Sequence, residues 1–400
     1  MSDTKSENTL TSGSTRRSFV KATGAVTAVG AASAFPSVSF GQENNKKLKI
    51  GVVGAGGRGG GAMMNALDAD DNVEIWAVGD LYLENAEKKL ASLTKTNKYG
   101  GRFTEGIEKR TFGGLDAYQK VIDSGVDILF CTTPPGFRPQ HFQAAVDAGL
   151  HAFVEKPCAT DVAGVLAFTE TAKQAEAKGL SVLCGFCYRY SQNGRALFER
   201  IHDGAIGDIL SIHSQYYAGP VKAMPDPSTR PEGMSDTEWQ LKNWYNFTWL
   251  GGDGLVEQGC HNVDRVAWAM QDADPIAAFG SGGRQRPNNE GNIYDHFSVT
   301  YEYPNDVMAH VEWRQFVNSY NFTGDTIVGT KGVAKFGTAA SVITGENPWR
   351  YRQPRTPKSM YVIEHEEFMN EIRTGGRKDD AAWIAHSTTM AIQGRNACYT

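Results

Sequence analysis

Three side chains have the types and spacing that proton-transfer chemistry uses. Lys156 stands between Glu155 and Pro157, and Glu257 lies four positions before His261. Residues four apart share one face of a helix. An imidazole accepts a proton near neutral pH, and an ammonium group polarises a hydroxyl oxygen. We therefore predict that Lys156, Glu257 and His261 form an acid–base site and also bind the substrate.

A glycine-rich loop earlier in the chain has the pattern of a dinucleotide-binding turn. Gly54, Gly56 and Gly59 follow a short apolar run and precede a helical one. The first glycine permits a tight turn, the second lets a pyrophosphate approach the backbone, and the third allows close packing of helix on strand. A helix N-terminus also favours negative charge. We predict that this loop, including Gly57 and Arg58, binds a nucleotide.

An acidic residue at the end of the second predicted strand bears on the choice of nucleotide. Asp80 is placed to accept hydrogen bonds from the adenosine ribose hydroxyls, and its charge repels a 2′-phosphate. NAD is therefore predicted in preference to NADP, although Arg58 offers a charge that offsets part of this repulsion. Thr132 and Pro134 end a later strand. With Glu155 and the lysine after it, they are predicted to border the nicotinamide.

Buried strands and helices alternate along the chain up to about residue 205. The strand patterns cover residues 48–53, 73–78, 126–131, 152–155 and 180–186, and the helical ones cover residues 62–67, 84–93, 141–148 and 162–178. Such alternation is typical of a parallel, doubly wound sheet. We predict a Rossmann-type domain over residues 46–170.

The strands of the C-terminal half alternate instead between buried and exposed positions. They cover residues 208–217, 276–282, 297–303, 308–316 and 325–336. Half-exposed strands joined by turns indicate a large, mostly antiparallel sheet. We predict that residues 171–400 form a second, α+β domain that binds the substrate.

Helical spacing in this second domain runs from Asp253 to Met270, with Asp253 as a candidate N-cap. Asp264 lies one turn after His261, where we expect it to orient the imidazole. The irregular stretch from residue 220 to residue 250 is rich in Pro, Gly and Trp, and we expect it to pack over a site.

Further side chains are candidates for contact with a sugar. Arg189 follows the last strand of the first pattern, and Trp244 and Asp253 offer stacking and hydrogen bonds. Cys184 and Cys187 have C-x-x-C spacing but no second pair, so we interpret them as core residues. Glu257 and His261 lack a third ligand, and no metal is predicted.

The N-terminal residues 1–45 have the features of a twin-arginine export signal and linker. Arg16 and Arg17 precede a run rich in Ala, Gly and Val, from Ala22 to Ala34. We therefore expect the twin-arginine translocation machinery as a partner and the periplasm as the location. This route carries folded proteins, often with cofactor bound, and nicotinamide nucleotides are scarce outside the cytoplasm. A tightly bound nucleotide that is regenerated in place is the consequence.

The bulk composition bears on nucleic-acid and membrane partners. A formal net charge of -5 gives no reason to expect nucleic acid or an anionic membrane. No apolar run reaches the length needed to span a bilayer.

With these features in view, the chain resembles the glucose–fructose oxidoreductase/inositol dehydrogenase family (Gfo/Idh/MocA) from about residue 47 onward. The resemblance rests on the motifs at residues 54–59, 155–157, 204–207 and 251–261. It implies an NAD(P)-dependent oxidoreductase. It also implies an open-faced C-terminal sheet that joins subunits into a homodimer or homotetramer.

The same resemblance gives roles to the acid–base residues. Lys156 and His261 would be catalytic, and Glu257 would stand where the family usually has a substrate-binding aspartate. Some secreted members are redox-neutral: they oxidise a sugar carbon transiently, eliminate the glycosidic substituent and return the hydride. Those members often lack the lysine that this chain has.

Three functions remain open from the sequence. The first is an exported NAD(P)-dependent oxidoreductase that moves hydride between a sugar, polyol or glycoside hydroxyl carbon and its nicotinamide. The second is a redox-neutral NAD-dependent glycosidase, lyase or epimerase, which export favours because such a cycle recycles its own cofactor. The third is a non-catalytic nucleotide- or carbohydrate-binding protein, against which the intact Lys156 and His261 argue.

Overall fold

The computed structural model describes residues 46–285, 290–338 and 340–400. The predicted export signal at residues 1–45 lies outside them. Within these ranges, no helix combines the length and apolar character needed to cross a bilayer.

The first half of the described chain forms a six-stranded parallel sheet in the order β3-β2-β1-β4-β5-β6. Its strands are β1 Leu48–Val53, β2 Val73–Asp80, β3 Thr111–Gly113, β4 Ile128–Cys131, β5 His151–Val154 and β6 Val182–Cys184. Its helices are α1 Gly57–Ala69, α2 Leu83–Thr94, α3 Ala117–Asp123, α4 Arg138–Asp147 and α5 Val162–Ala177. The central strands are buried along most of their length, as expected for a sheet covered on both faces.

The position of β6 extends this sheet beyond residue 170, where we placed the end of the first domain. Strand β6 pairs in parallel with β5. The strand order reverses between β1 and β4, and the loops after these strands open at the same edge of the sheet. Ligands of such folds bind in the crevice at this edge.

The second half forms an eight-stranded sheet in the order β14-β13-β12-β11-β7-β10-β9-β8. Its strands are β7 Ile209–Ala218, β8 Ala277–Gly283, β9 His296–Tyr303, β10 Val307–Gln315, β11 Phe322–Gly329, β12 Gly332–Gly337, β13 Ser341–Gly345 and β14 Trp349–Arg350. All neighbours pair antiparallel except β7 and β10, which are parallel. The predicted fold class, a parallel Rossmann-type sheet followed by a mostly antiparallel one, is confirmed.

Six further helices complete the fold, and two of them return to the first sheet. They are α6 Gln192–His202, α7 Asp236–Lys242, α8 Thr248–Gly251, α9 Cys260–Ala269, α10 Met360–Thr374 and α11 Ala381–Tyr399. Helix α10 packs on α1, and α11 packs on α5. An ion pair of 2.6 Å between Arg373 and Asp70 joins the end of α10 to the end of α1.

Two elements differ from their predictions. The stretch 325–336, predicted as one strand, is a hairpin of β11 and β12, because residues 330 and 331 turn the chain. The predicted helix from Asp253 to Met270 begins later. Asp253 has a positive φ of 85°, and a π-helical turn, Leu255–Gly259, precedes α9.

Candidate active site

A cavity of about 640 Å³ opens at the carboxyl ends of the first sheet, between that sheet and the second domain. It brings together most of the residues that the sequence singled out. The predicted residues that line it are Gly56, Gly57, Arg58, Gly59, Asp80, Thr132, Pro134, Glu155, Lys156, Trp244, Glu257 and His261. One cavity therefore contains the glycine loop and the acid–base residues.

The glycine loop has the shape that a dinucleotide pyrophosphate requires. Gly54 has a φ of +95°, and a Cβ atom there would lie 2.7 Å from the backbone of Thr132. A Cβ on Gly59 would lie 1.9 Å from the carbonyl oxygen of Gly54. Added Cβ atoms on Gly56 and Gly57 would meet nothing within 4 Å, so these two positions present bare backbone to open space. The loop residues therefore fit NAD.

Asp80 connects this loop to the end of β2. Its Oδ2 accepts a hydrogen bond of 2.8 Å from the backbone N–H of Ala55, and its Oδ1 accepts one of 3.0 Å from Tyr82. Oδ1 also accepts a hydrogen bond of 3.2 Å from the side-chain amide of Asn85, so Oδ2 is the oxygen that keeps an acceptor position for a ribose hydroxyl in the cavity. It therefore shapes the loop in addition to its predicted part in nucleotide choice.

Arg58 is engaged differently from the expectation that it offsets the charge of Asp80. Its guanidinium forms a short ion pair with Glu155, lies 3.5 Å from Glu364 and stacks over the ring of Tyr361. Burial opposes its charge, but Glu155 and Glu364 outweigh burial and raise the pKa of Arg58. The guanidinium is thus committed to the end of β5 and to α10, and it is not a free cation for a 2′-phosphate.

Lys156 follows β5 and extends into the cavity toward Glu257. Its ammonium group donates a short hydrogen bond to the backbone carbonyl of Glu257 and lies 3.4 Å from the carboxylate Oε1 of that residue. Burial disfavours the charged form, but the charges of Glu257 and Glu155 prevail and raise the pKa of Lys156. Lys156 is therefore an ammonium ion at neutral pH.

His261 lies at the start of α9 between two aromatic edges. The ring centroids of Phe186 and Tyr188 are 5.8 and 5.3 Å away, both nearly perpendicular. Burial, with the nearby charges of Lys156 and Arg265, lowers the pKa of His261 well below its usual value. The imidazole is therefore neutral at pH 7 and able to accept a proton.

The expected partner of this imidazole is bound elsewhere. Asp264 accepts hydrogen bonds from Arg189 at 3.0 Å and from Ser387 at 2.9 Å. Within the described residues, Nδ1 of His261 has no hydrogen-bond partner. The prediction that Asp264 orients His261 is wrong, because the helix turns the carboxylate toward α11.

Two residues predicted to bind substrate lie outside the cavity lining. Arg189 pairs with Asp264 and with Asp272, at 2.5 Å from the latter, and stacks over the ring of Trp383. Its guanidinium is thus engaged in ion pairs that join the turn after β6 to α9 and to the residues that follow α9. The substrate contact that we predicted for Arg189 is not supported by this position.

Asp253, the second predicted substrate ligand that lies outside the cavity lining, is buried. Its carboxylate accepts hydrogen bonds from the backbone N–H groups of Gly254 and Tyr294 and from the hydroxyl of Tyr399. Burial raises the pKa of Asp253 to about 7. Arg395 donates a hydrogen bond of 3.0 Å to the carbonyl of Gly252 beside it. Asp253 therefore anchors the start of the helical segment that carries Glu257 and His261 to the end of α11, and it does not line the cavity.

A polar network behind Glu257 was not predicted from the sequence. The side-chain oxygen of Gln258 accepts hydrogen bonds of 3.0 Å from Trp313 and 2.8 Å from Gln315. Gln315 also donates a hydrogen bond of 2.6 Å to the hydroxyl of Tyr245. The network ties the π-helical turn to β10, and this turn sets the direction of the Glu257 side chain.

Arg138 is a second residue that sequence reasoning missed. It is 4% exposed, lines the cavity, and donates hydrogen bonds of 2.9 Å to the carbonyl of Thr133 and 2.6 Å to that of Pro157. It thereby joins the loops after β4 and β5, which carry the predicted nicotinamide-side residues. Its place after the Thr-Thr-Pro-Pro run, in the first turn of a helix, is the only signal that the sequence offers.

The cysteine motif and possible metal ligands can also be placed. Cys184 and Cys187 are buried, and burial raises the pKa of both thiols. Within the described ranges, no group of three or more His, Cys, Asp or Glu side chains could hold a metal ion.

Family models match two long parts of the chain. Residues 48–183 match the oxidoreductase family model with an NAD-binding Rossmann fold. Residues 195–335 match the GFO/IDH/MocA C-terminal domain model. Fold, cavity and these matches define an NAD-binding oxidoreductase. The chain belongs to the Gfo/Idh/MocA family, as its motifs predicted.

Two individual relatives each share less than 30% sequence identity with this chain. An inositol 2-dehydrogenase/D-chiro-inositol 3-dehydrogenase of Lactiplantibacillus plantarum is 23% identical over 339 residues, which are 81% of this chain and 83% of that protein. A glycosyl hydrolase family 109 protein of Streptomyces coelicolor is 29% identical over 171 residues, 42% of this chain and 34% of that protein. The chain thus matches about a third of that relative's length.

A solved structure shows the same fold over nearly the whole described chain. The aldose-aldose oxidoreductase from Caulobacter crescentus, complexed with glycerol, has a TM-score of 0.70 at 17% identity. The match covers 88% of this chain and 98% of that one. At this identity the likeness shows the fold alone.

Proposed function

We propose that this protein is an exported oxidoreductase that transfers hydride between a hydroxyl-bearing carbon of a sugar or polyol and a tightly held NAD. The observation that carries the proposal is that Lys156, Glu257 and His261 line the same cavity as the glycine loop. The similarity to an inositol dehydrogenase supports a polyhydroxylated substrate. The twin-arginine pattern at residues 16 and 17 supports export to the periplasm.

Each acid–base residue has a distinct task in this proposal. NAD, when bound, supplies the hydride acceptor. The Lys156 ammonium donates a hydrogen bond to the substrate hydroxyl oxygen and stabilises the negative charge that develops there. The neutral imidazole of His261 takes the hydroxyl proton. Glu257 holds the ammonium of Lys156 in place and can accept a hydrogen bond from a neighbouring hydroxyl.

The resting charges suit these tasks. Lys156 has a raised pKa and His261 a lowered one, so the cavity contains a charged donor beside an uncharged acceptor. This is the protonation that oxidation of an alcohol needs. We infer that Trp244, which also lines the cavity, covers the sugar ring.

Denaturing the purified protein and identifying the released nucleotide tests the first part of the proposal. Sugars, polyols and glycosides are then screened for reduction of this bound nucleotide. We expect NAD to be released and at least one polyhydroxylated compound to reduce it. Release of no nucleotide, together with no reduction of added NAD by any compound, would refute the proposal.

A redox-neutral glycosidase is the second candidate, and the match to the glycosyl hydrolase family 109 protein favours it. In this reaction the hydride returns to the same sugar after loss of the glycosidic substituent. A glycoside with deuterium at the oxidised carbon separates the two functions. Net accumulation of deuterated NADH supports the oxidoreductase, and cleavage without accumulation supports the glycosidase. A subunit assembly through the C-terminal sheet is part of either proposal.

A further inference from the structure

The segment between β7 and α8, residues 219–247, crosses the cavity from one domain to the other. We name it the crossing segment. On the substrate side, the backbone N–H of Val221 donates a hydrogen bond of 3.4 Å to Gln315. On the nucleotide side, the hydroxyl of Tyr82, which follows Asp80, donates one of 3.4 Å to the carbonyl of Glu238. The segment thus spans the crevice between the end of β10 and the loop after β2.

The crossing segment has little regular secondary structure, but several contacts hold it in place. Ser235 and Glu238 form a reciprocal capping box at the start of α7. Trp239, Tyr245 and Phe247 are buried. These contacts fix the backbone at both sides of the cavity and therefore fix the directions of the side chains between them.

Two lysines of the crossing segment face the cavity without an acidic partner. Lys222 and Lys242 both line it, and the ammonium of Lys222 donates a hydrogen bond of 2.5 Å to the carbonyl of Lys242. Neither lysine forms an ion pair with a carboxylate in the part of the chain that the structure describes. Burial and the charge of Lys242 lower the pKa of Lys222.

The other cations of the cavity are already engaged. Arg58 pairs with Glu155, Lys156 lies against Glu257, and the buried Arg138 donates hydrogen bonds to the carbonyls of Thr133 and Pro157. The glycine loop therefore offers backbone N–H groups to a pyrophosphate, but its own arginine is committed elsewhere. The opposite wall, formed by the crossing segment, adds two ammonium groups that have no carboxylate partner among the described residues.

We propose that the crossing segment is a strap that retains the dinucleotide, with the ammonium groups of Lys222 and Lys242 facing its pyrophosphate across from the glycine loop. This inference deepens the proposed function, because it gives a physical cause for tight retention. It rests on that function only in taking the ligand to be a dinucleotide. A pyrophosphate carries two negative charges, which the two lysines match.

The rate of nucleotide release tests the strap directly. Protein loaded with radiolabelled NAD is chased with excess unlabelled NAD, and bound label is followed by filtration without any sugar present. We expect Lys242→Met to accelerate release about 10-fold, as for loss of one hydrogen bond to a charged group, and Lys222→Met/Lys242→Met to accelerate it further. Release from the wild type should quicken with salt, and this dependence should be weaker in the double variant.

Two controls separate the charge from the fold. Lys242→Arg keeps the charge and should release NAD at nearly the wild-type rate. Lys95→Met, at an exposed position after α2 that does not line the cavity, makes the same change in net charge and should have no effect. The ammonium of Lys242 makes no hydrogen bond within the described chain, so its removal leaves the packing of the segment intact.

Two outcomes would overturn the strap. One is release from the double variant at the wild-type rate. The other is unchanged release with a changed preference between glucose and glucuronate, which would assign the lysines to an acidic sugar. Slow release from the wild type that the variants accelerate, in a protein that oxidises no sugar, would uphold the strap and remove the proposed function.

Discussion

Two ion pairs near α9 differ in how many of their hydrogen-bonding groups have protein partners. Arg265 donates to both carboxylate oxygens of Asp325, at 2.7 and 3.0 Å, and Ser214 donates to the same carboxylate. Arg265 and Asp325 are 1% and 2% exposed. In the cavity, Lys156 lies 3.4 Å from the Glu257 carboxylate, and the two side chains are 12% and 13% exposed.

The difference separates groups that support the fold from groups that serve a ligand. The pair in the core uses its donors and acceptors on protein partners, so no ligand can compete for them. The pair in the cavity keeps capacity for a further partner. Buried charges with complete partners report on stability, whereas incompletely matched ones that face a cavity are candidates for chemistry.

Breaking the core pair should have the largest effect on stability. Arg265→Met leaves the Asp325 carboxylate buried without its cation, and we expect a loss of about 3–5 kcal/mol in the free energy of unfolding. Urea denaturation measures this loss, while turnover of the folded fraction should fall far less than it does when Lys156 is replaced. Arg265→Met/Asp325→Leu should recover much of the stability. A single variant as stable as the wild type would contradict the comparison.

Breaking the cavity pair should have the opposite effect, a large loss of turnover with little change in stability. Lys156→Met removes the ammonium that we propose to polarise the substrate hydroxyl, and we expect turnover to fall about 100-fold or more. Stability and nucleotide content should change little, because Glu257 can be hydrated from the cavity. Single-turnover reduction of bound NAD measures the effect. Unchanged turnover would remove Lys156 from the mechanism.

A third substitution tests whether the Asp80 carboxylate, which accepts hydrogen bonds from backbone N–H groups, also determines the preference for NAD over NADP. Asp80→Asn keeps an acceptor for the N–H of Ala55 but removes the negative charge. We expect the preference for NAD over NADP, taken as the ratio of kcat/KM, to fall about 10-fold. Leu81→Met, beside it in the cavity lining, is the matched control. A ratio that stays constant would restrict Asp80 to shaping the loop.

The pH dependence should show the smallest effect on rate. An imidazole with an ordinary pKa near 6.5 would lose about 10-fold in its neutral form between pH 7 and pH 5.5. His261 has a pKa well below this value, because burial and nearby cations oppose its charge. We therefore expect turnover to change less than about two-fold over this range. A loss of activity with an apparent pKa near 6.5 would show that His261 titrates normally.

The same depressed pKa has a consequence for stability. Below pH 6.5 the unfolded chain takes up a proton at this histidine and the folded chain does not. Stability should therefore fall as the pH is lowered, by up to about 1.4 kcal/mol per pH unit for each such histidine. His141 and His151, whose pKa values burial lowers to about 4, add to the same trend. Urea denaturation at pH 7 and pH 5.5 measures it.

Residues whose role depends on local backbone shape were predictable from the sequence. The glycine loop needs Gly54 for its positive φ and Gly59 for its contact with the backbone of Gly54. Both requirements follow from the spacing of the motif and the strand before it. The strand–helix alternation likewise predicted the parallel sheet, because a strand buried on both faces reads as a continuous apolar run.

Residues whose role depends on a distant partner were not predictable. Spacing placed Asp264 on the helix near His261, but its partner Ser387 lies on α11. Arg189 and Arg58 were interpreted as free cations, although carboxylates that are remote in sequence engage both. Spacing identifies a shared face, and only the packing of other elements decides what that face meets.

Helix α11 holds the turn that precedes Glu257, and this contact has a consequence for a chain that is shortened at its C-terminal end. The hydroxyl of Tyr399 and the guanidinium of Arg395 hold the Gly252–Asp253 turn that precedes Glu257. The glycine loop and its sheet also depend on later residues, because α10 packs on α1 and β6 exchanges backbone hydrogen bonds with residues 378 and 380, but all of these precede residue 395. A chain shortened to end between residues 380 and 395 therefore keeps the contacts of the nucleotide side but loses the anchors of the turn before Glu257, and we expect it to bind NAD without turning over.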